Sequence, residues 1–166
     1  MEPALSSYNF KFVGGEQNVY LFESRLACEY EIKFKPSGYL VSDADLEEYI
    51  FELVITLSIN PFEPSLPAAD GLLAPTIAQI VADFLNSHER VVVYICDDSD
   101  SRADARRKLF DGWFRRFSKK RYVKIELSLG QDENGQDFTA ELVARFDNLL
   151  VPRIYESFLK AISAAK

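Results

Sequence analysis

The chain has 166 residues, of which 48% are hydrophobic and 13% aromatic, and its formal net charge is -7. This apolar content can form a core and excludes disorder along the whole chain, and the length fits one domain covering residues 1–166. The negative charge argues against a protein that coats nucleic acid or an anionic membrane over its whole surface.

Residues 1–57 are predicted to form an antiparallel meander of about four strands. Apolar and polar side chains alternate in three short runs, a period of two that is typical of half-buried strands. The clearest run holds Cys28, Tyr30, Ile32 and Phe34, each followed by a charged residue. The meander should therefore have one buried face and one solvated face.

Residues 49–57 allow two interpretations, because Asp45, Glu47 and Glu48 could begin a helix. The apolar residues from Tyr49 onward recur at every second position, and β-branched residues are frequent, so a fourth strand is favoured.

Residues 58–75 are predicted to be a proline-rich loop. Prolines and a glycine interrupt any period, and loops of this length are uncommon inside compact domains. We expect the loop to pack across the sheet edge through four apolar side chains: Phe62, Leu66, Leu72 and Leu73. The alternative is a lid or a partner-binding arm.

Residues 76–166 are predicted to be an α/β portion in which helices alternate with strands. The predicted elements are a helix from Pro75 to about His88, a buried strand over 91–96, a helix over about 101–117, strands over 122–129 and 138–146 joined by a turn at 131–136, and a final helix over 149–165. A right-handed crossover would place the strand at 91 beside the strand at 122 in a mixed sheet covered by helices. The predicted fold class is α+β.

A cluster of charged residues follows the predicted buried strand. Asp97, Asp98 and Asp100 come directly after it, and Arg102 and Arg106 extend the apolar stripe of the next helix backwards by steps of three and four. The stripe itself consists of Leu109, Phe110, Trp113, Phe114 and Phe117. An inward-facing guanidinium needs a partner, so the five charged side chains should meet where the strand passes into the helix.

This polar cluster has a structural and a functional interpretation. Asp98, Ser99 or Asp100 can cap the helix, and the arginines can complete an ion network. Alternatively, Asp98-Ser99-Asp100 resembles the Asp-x-Asp of magnesium-dependent phosphotransferases, although Ser101 would stand at the usual fourth position and no later lysine or acidic pair ends a predicted strand. A third possibility is that the guanidinium groups bind a phosphate or carboxylate bidentately.

Three segments carry a resemblance to a known family: Tyr8-x-Phe10-x-Phe12, Thr76-Ile77, and Tyr94-Ile95-Cys96-Asp97-x-x-Asp100-x-Arg102-x-x-x-Arg106-x-x-x-Phe110-x-x-Trp113-Phe114. The pattern resembles an uncharacterised bacterial family of small single-domain proteins, defined only by a domain of unknown function. The resemblance covers most of the chain and is densest over residues 94–114. It implies a compact cytosolic domain and no activity.

A basic segment follows the same helix. Residues 102–121 hold nine of the 19 Lys and Arg side chains and two acids. The candidate basic patch is Arg115, Arg116, Lys119, Lys120 and Arg121. It could contact nucleic-acid phosphates, but basic residues at a helix C-terminus also complement the helix dipole.

The remaining residues favour no familiar enzyme class. His88 is the single histidine and is expected to be a surface capping residue, and Cys28 and Cys96 are expected to be buried, reduced thiols. We see no leader, membrane helix, metal site or cofactor motif, so we expect a cytoplasmic protein. The favoured function is a non-catalytic protein-interaction or regulatory module, the alternative is a phosphate- or nucleotide-handling protein that uses the polar cluster, and a lesser alternative is nucleic-acid binding. The oligomeric state stays open.

Overall fold

The computed structural model describes residues 7–87, 89–96, 111–116, 120–131, 133, 135 and 137–164. These residues form a mixed seven-stranded sheet of order β1-β2-β3-β4-β5-β7-β6, which confirms the α+β fold with its N-terminal meander. The elements are β1 Phe10–Gly14, β2 Val19–Glu23, β3 Glu29–Pro36, β4 Ile50–Ile59, α1 Leu73–Phe84, β5 Val91–Cys96, α2 over residues 111–116, β6 Tyr122–Gln131, β7 Asp137–Arg145 and α3 Val151–Ala164.

The meander has the alternation that the sequence predicts. Cys28, Ile32 and Phe34 are fully buried, whereas the charged residues between Tyr30 and Pro36 stay accessible. The turn between β1 and β2 uses Gly14 and Gly15, whose φ angles of 86° and 82° lie in the left-handed region that glycine adopts without a Cβ penalty. The alternation along β3 shows that one face of the meander is buried and the other is accessible to solvent, as predicted.

The acidic run before β4 forms a short helix and is followed by a strand, so each of the two interpretations is correct in part. Its residues form a 3-10 helix, Ala44–Tyr49, in which Asp43 caps the first turn by accepting a hydrogen bond from the Asp45 N–H. Strand β4 then begins directly at Ile50. The alternation that favoured a strand holds from this point onward.

The order of the C-terminal strands differs from the prediction. Strand β7, not β6, lies beside β5, because Val91–Cys96 pairs antiparallel with residues 139–144. Residues 140–144 are buried on both faces of β7, which requires an interior position in the sheet. In β6, Lys124, Glu126 and Ser128 alternate with apolar residues, a pattern that suits an edge strand.

Helices cover both faces of the sheet. The crossover from β4 to the parallel β5 passes through α1, and the connection from β5 towards β6 passes through α2 on the same face. Trp113 and Phe114 of α2 pack against that core, as predicted from the apolar stripe. Two right-handed crossovers that advance in the same direction place their helices on one face.

Helix α3 covers the opposite face of the sheet through Ile154 and Phe158, which are fully buried. Leu159 of the same helix lies away from this face and is 43% exposed. Ser157 takes a buried position instead, and its Oγ accepts hydrogen bonds from the N–H groups of Ser42 and Asp43 at 3.0 and 2.9 Å. The helix is thereby tied to the chain between two 3-10 turns, Gly38–Leu40 and Ala44–Tyr49. Among the described residues, no helix is both long and apolar enough to cross a membrane.

Candidate functional site

The predicted polar cluster lies outside the described residues. This applies to all five of its members: Asp97, Asp98, Asp100, Arg102 and Arg106. The structure describes the frame on either side, namely β5 up to Cys96 and α2 from residue 111. The convergence of these carboxylates and guanidinium groups stays a prediction.

An opening lies between the two parallel strands, β4 and β5, which separate towards their carboxyl ends. Strands β4 and β5 pair only over Ile50–Glu52 and Val91–Val93. Beyond these pairs β4 runs on to Ile59 and β5 to Cys96, so their carboxyl ends lie at the same edge of the sheet without pairing. In open α/β sheets this edge, where neighbouring strands separate, is a common place for ligands.

A buried carboxylate that was not predicted from the sequence lies under α2. Glu141 on β7 has 0% exposure, and one of its oxygens lies 4.0 Å from Lys124 Nζ on β6. Lys124 also forms an ion pair with Asp111 of α2. Because a buried carboxylate needs a cation nearby, this cluster ties α2 to the sheet. The sequence contained one indication of this buried carboxylate, namely an acidic residue at an inward position of a strand that is buried on both faces.

The basic segment is only partly described. Arg115 and Arg116 of α2 and Lys120 and Arg121 before β6 are exposed, and Lys119 and His88 lie outside the described residues. Tyr122, which could have stacked on a base, packs against the core instead. Nucleic-acid binding through this segment stays a prediction.

The proline-rich segment, residues 60–72, begins with an ordered turn. The Asn60 side chain bridges it, because Oδ1 accepts from the Phe62 N–H at 3.0 Å and Nδ2 donates to the Ser65 carbonyl at 2.8 Å. Inside the turn, the Ser65 N–H donates to the Phe62 carbonyl at 2.8 Å. These local bonds fix the backbone independently of any packing by the apolar side chains.

The apolar side chains of this turn face solvent, so the prediction that the loop packs through all four of its residues is wrong in part. Phe62 is 43% exposed and Leu66 is 67% exposed, and Ile59 at the end of β4 is 52% exposed. Leu72 and Leu73 are half-buried, as the packing prediction required. The turn residues border a groove of about 600 Å³ lined by Leu57, Asn60, Glu63, Pro64 and Leu66.

The far end of the segment is anchored by Asp70. Its carboxylate accepts hydrogen bonds from the Tyr8 hydroxyl at 2.5 Å and the Leu72 N–H at 2.9 Å, and it lies 3.6 Å from Arg25. Burial and the hydrogen bond to Asp70 raise the pKa of Tyr8. The Tyr8 N–H in turn donates to the Thr76 hydroxyl of α1 at 2.9 Å. The segment is thus fixed at both ends.

The surroundings of the segment are acidic. Residues 36–89 contain nine Asp and Glu residues and no Lys or Arg. One acid, Glu63, lines the groove itself. A second groove at the other end of β4 is lined by Tyr39, Asp45, Glu47 and Glu48, among others. This stretch of the chain therefore carries a net negative charge.

Comparison with known proteins gave one result. A family model described as a family of unknown function (DUF6169) matches residues 70–158, more than half of the chain, which confirms the resemblance that the sequence suggests. Neither the curated proteins nor the solved structures contained a match. The matched region starts at the Asp70 anchor, so the turn at Asn60–Ser65 precedes it.

Proposed function

The chain belongs to this family of unknown function, and we propose that it is a non-catalytic protein-interaction module. Its docking site is the groove beside the Asn60–Ser65 turn. The partner is a protein segment that carries an apolar side chain flanked by lysine or arginine.

The observation that carries this proposal is a rigid turn with exposed apolar side chains. Phe62 lies in the turn and Leu66 directly follows it, and both stay exposed although the segment that bears them is held by the hydrogen bonds of the turn at one end and by Asp70 at the other. Leu66 lines the groove beside the turn, and exposed apolar side chains at a groove are typical of interaction sites. A pre-ordered backbone lowers the entropy that binding must overcome.

The charge of the surroundings defines the partner. Glu63 lines the groove, and none of the other residues that line it is charged. A basic flank on the bound segment would meet this negative field, which increases the association rate and disfavours acidic competitors. The apolar anchor would supply most of the affinity.

The test uses two short peptides with the same apolar centre, one flanked by lysines and one by glutamates. Fluorescence anisotropy should show tighter binding of the lysine-flanked peptide. The double variant Phe62→Ser/Leu66→Ser should lower its affinity at least about tenfold, because anchors of this kind cost more than about 1 kcal/mol each when truncated.

The matched control is Leu149→Ser, which removes a leucine that is 91% exposed at the start of α3. It should bind the lysine-flanked peptide as the wild type does. Equal binding of both peptides, or equal loss of binding in the control, would mean that the interaction is non-specific and that the groove is not the docking site.

A second candidate function rests on the opening between β4 and β5. The predicted polar cluster follows β5 directly, at the strand ends where open sheets bind ligands. In this alternative, Arg102 and Arg106 bind a phosphate-bearing ligand, with magnesium held by Asp97, Asp98 or Asp100.

Thermal shift measurements with nucleotides, with and without magnesium, distinguish the two candidates. Under the second candidate a nucleotide raises the melting temperature of the wild type, and Arg102→Ala removes the increase. Arg153→Ala, at an exposed pair with Asp43, is the control that should retain it. If no nucleotide changes the melting temperature, the second candidate is wrong and the first is unaffected.

A further inference from the structure

The sheet ends at β6, and the outer backbone edge of this strand pairs with no strand among the described residues. The other outer strand, β1, has five residues and a register shift between Phe12 and Gly14, features that blunt an edge against further pairing. In β6 the register shift comes late, between Ser128 and Gly130, so Tyr122–Ser128 is a regular run of seven residues.

The hydrogen-bond pattern shows which residues of β6 present their backbone outward. The Phe146 N–H donates to the Arg121 carbonyl at 2.9 Å, so residue 121 bonds inward to the β7 side. Hydrogen-bonding direction alternates along an antiparallel strand, so Tyr122, Lys124, Glu126 and Ser128 direct their N–H and C=O groups away from β7.

We infer that β6 pairs antiparallel with β6 of a second copy of this chain, about a twofold axis at Ile125, and joins the two sheets into one. Ile125 is the middle residue of the regular run. In this register Lys124 of one protomer lies opposite Glu126 of its partner, and the same pair recurs on the other side of the axis. Val123 and Ile125, which are only half-buried in one chain, face Leu127 and Ile125 of the partner.

The sequence disfavours the neighbouring symmetric registers. An axis at residue 124 sets Lys124 opposite itself, and an axis at residue 126 sets Glu126 opposite itself. Like charges directly opposite each other destabilise a strand pair, whereas opposite charges stabilise it. The axis at Ile125 also pairs all seven residues, whereas each alternative pairs only five. The number of paired residues and the pairing of opposite charges therefore both favour a second copy in the register with the axis at Ile125.

Cysteine cross-linking tests the register. In this arrangement residue 125 faces itself in a non-hydrogen-bonded pair, where the Cα atoms approach closely enough for a disulfide. Mild oxidation of Ile125→Cys should give a covalent dimer as the main product. Val123→Cys, whose residue faces Leu127, is the matched control and should give little, as should the wild type with its native cysteines. Equal cross-linking at 123 and 125 would overturn the register.

Sedimentation equilibrium tests the association itself, after circular dichroism has shown that each variant is folded. The wild type should dimerise, and Glu126→Lys, which sets lysine opposite lysine twice, should raise the dissociation constant about tenfold. Glu126→Pro removes an outward N–H without removing a bond to β7, so it should abolish the dimer and leave the monomer folded. A wild type that stays monomeric at its highest soluble concentration, or a Glu126→Pro variant that still dimerises, would overturn the inference.

Discussion

Two tyrosines near the N-terminus, the half-buried Tyr8 and the buried Tyr20, donate hydrogen bonds to aspartates near either end of α1. Tyr8 contacts Asp70, and the Tyr20 hydroxyl donates to Asp83 at 2.7 Å. Burial, followed by the hydrogen bond to the carboxylate, raises the pKa of both hydroxyls above the usual 10.0. These contacts join residues more than 60 positions apart, so no local pattern in the sequence could have predicted them.

The raised pKa values predict a loss of stability in alkaline solution. The folded state holds these protons more tightly than the unfolded state, so the stabilisation is complete below pH 10 and declines as the pH rises through the folded-state pKa values. Urea unfolding measured from neutral pH to above pH 10 should show this decline. Tyr20→Phe should reduce its slope, and a variant with the wild-type slope would show that Tyr20 is not responsible.

At the scale of elements, local periodicity in the sequence predicted most helices and strands. The predicted strand at 91–96 matches β5, and Pro75 lies in the first turn of α1 as expected. The acidic run before β4 could not be assigned, because a 3-10 turn has no distinctive apolar period. The burial of Ser157 could not be predicted for a related reason. A serine becomes favourable in a buried position only when backbone N–H groups donate hydrogen bonds to it, and these groups belong to a distant part of the chain.

The two 3-10 turns pack so closely that one glycine is required. A Cβ on Gly38 would lie 2.5 Å from the Glu47 Cβ and 3.0 Å from its Cα. Gly38→Ala should therefore lower the free energy of unfolding by about 1–3 kcal/mol, the usual cost of overpacking. Chemical denaturation measures the change, with Gly71→Ala as control because no heavy atom lies within 4 Å of its added Cβ. Equal stability of the two variants would contradict this packing.

At the scale of the whole molecule, the sequence predicted the fold class but not the strand order. The apolar residues of β7 indicate an interior position, but the pairing of β7 with β5 joins residues more than 40 positions apart, which local periodicity does not predict. The exposed groove could not be located from the sequence either. Phe62 and Leu66 are residue types that usually lie in the core, and only the structure shows that they are exposed. Only the tertiary structure distinguishes a loop whose apolar side chains are buried from one whose apolar side chains are exposed.

The proposed docking site is tested most directly by an NMR titration of the isotope-labelled protein with the lysine-flanked peptide. Binding at this site should concentrate the amide shift changes in residues 57–66, around the groove beside the Asn60–Ser65 turn. Shift changes centred on the acidic groove at Tyr39 or on the basic segment at residues 115–121, or no changes at all, would contradict it.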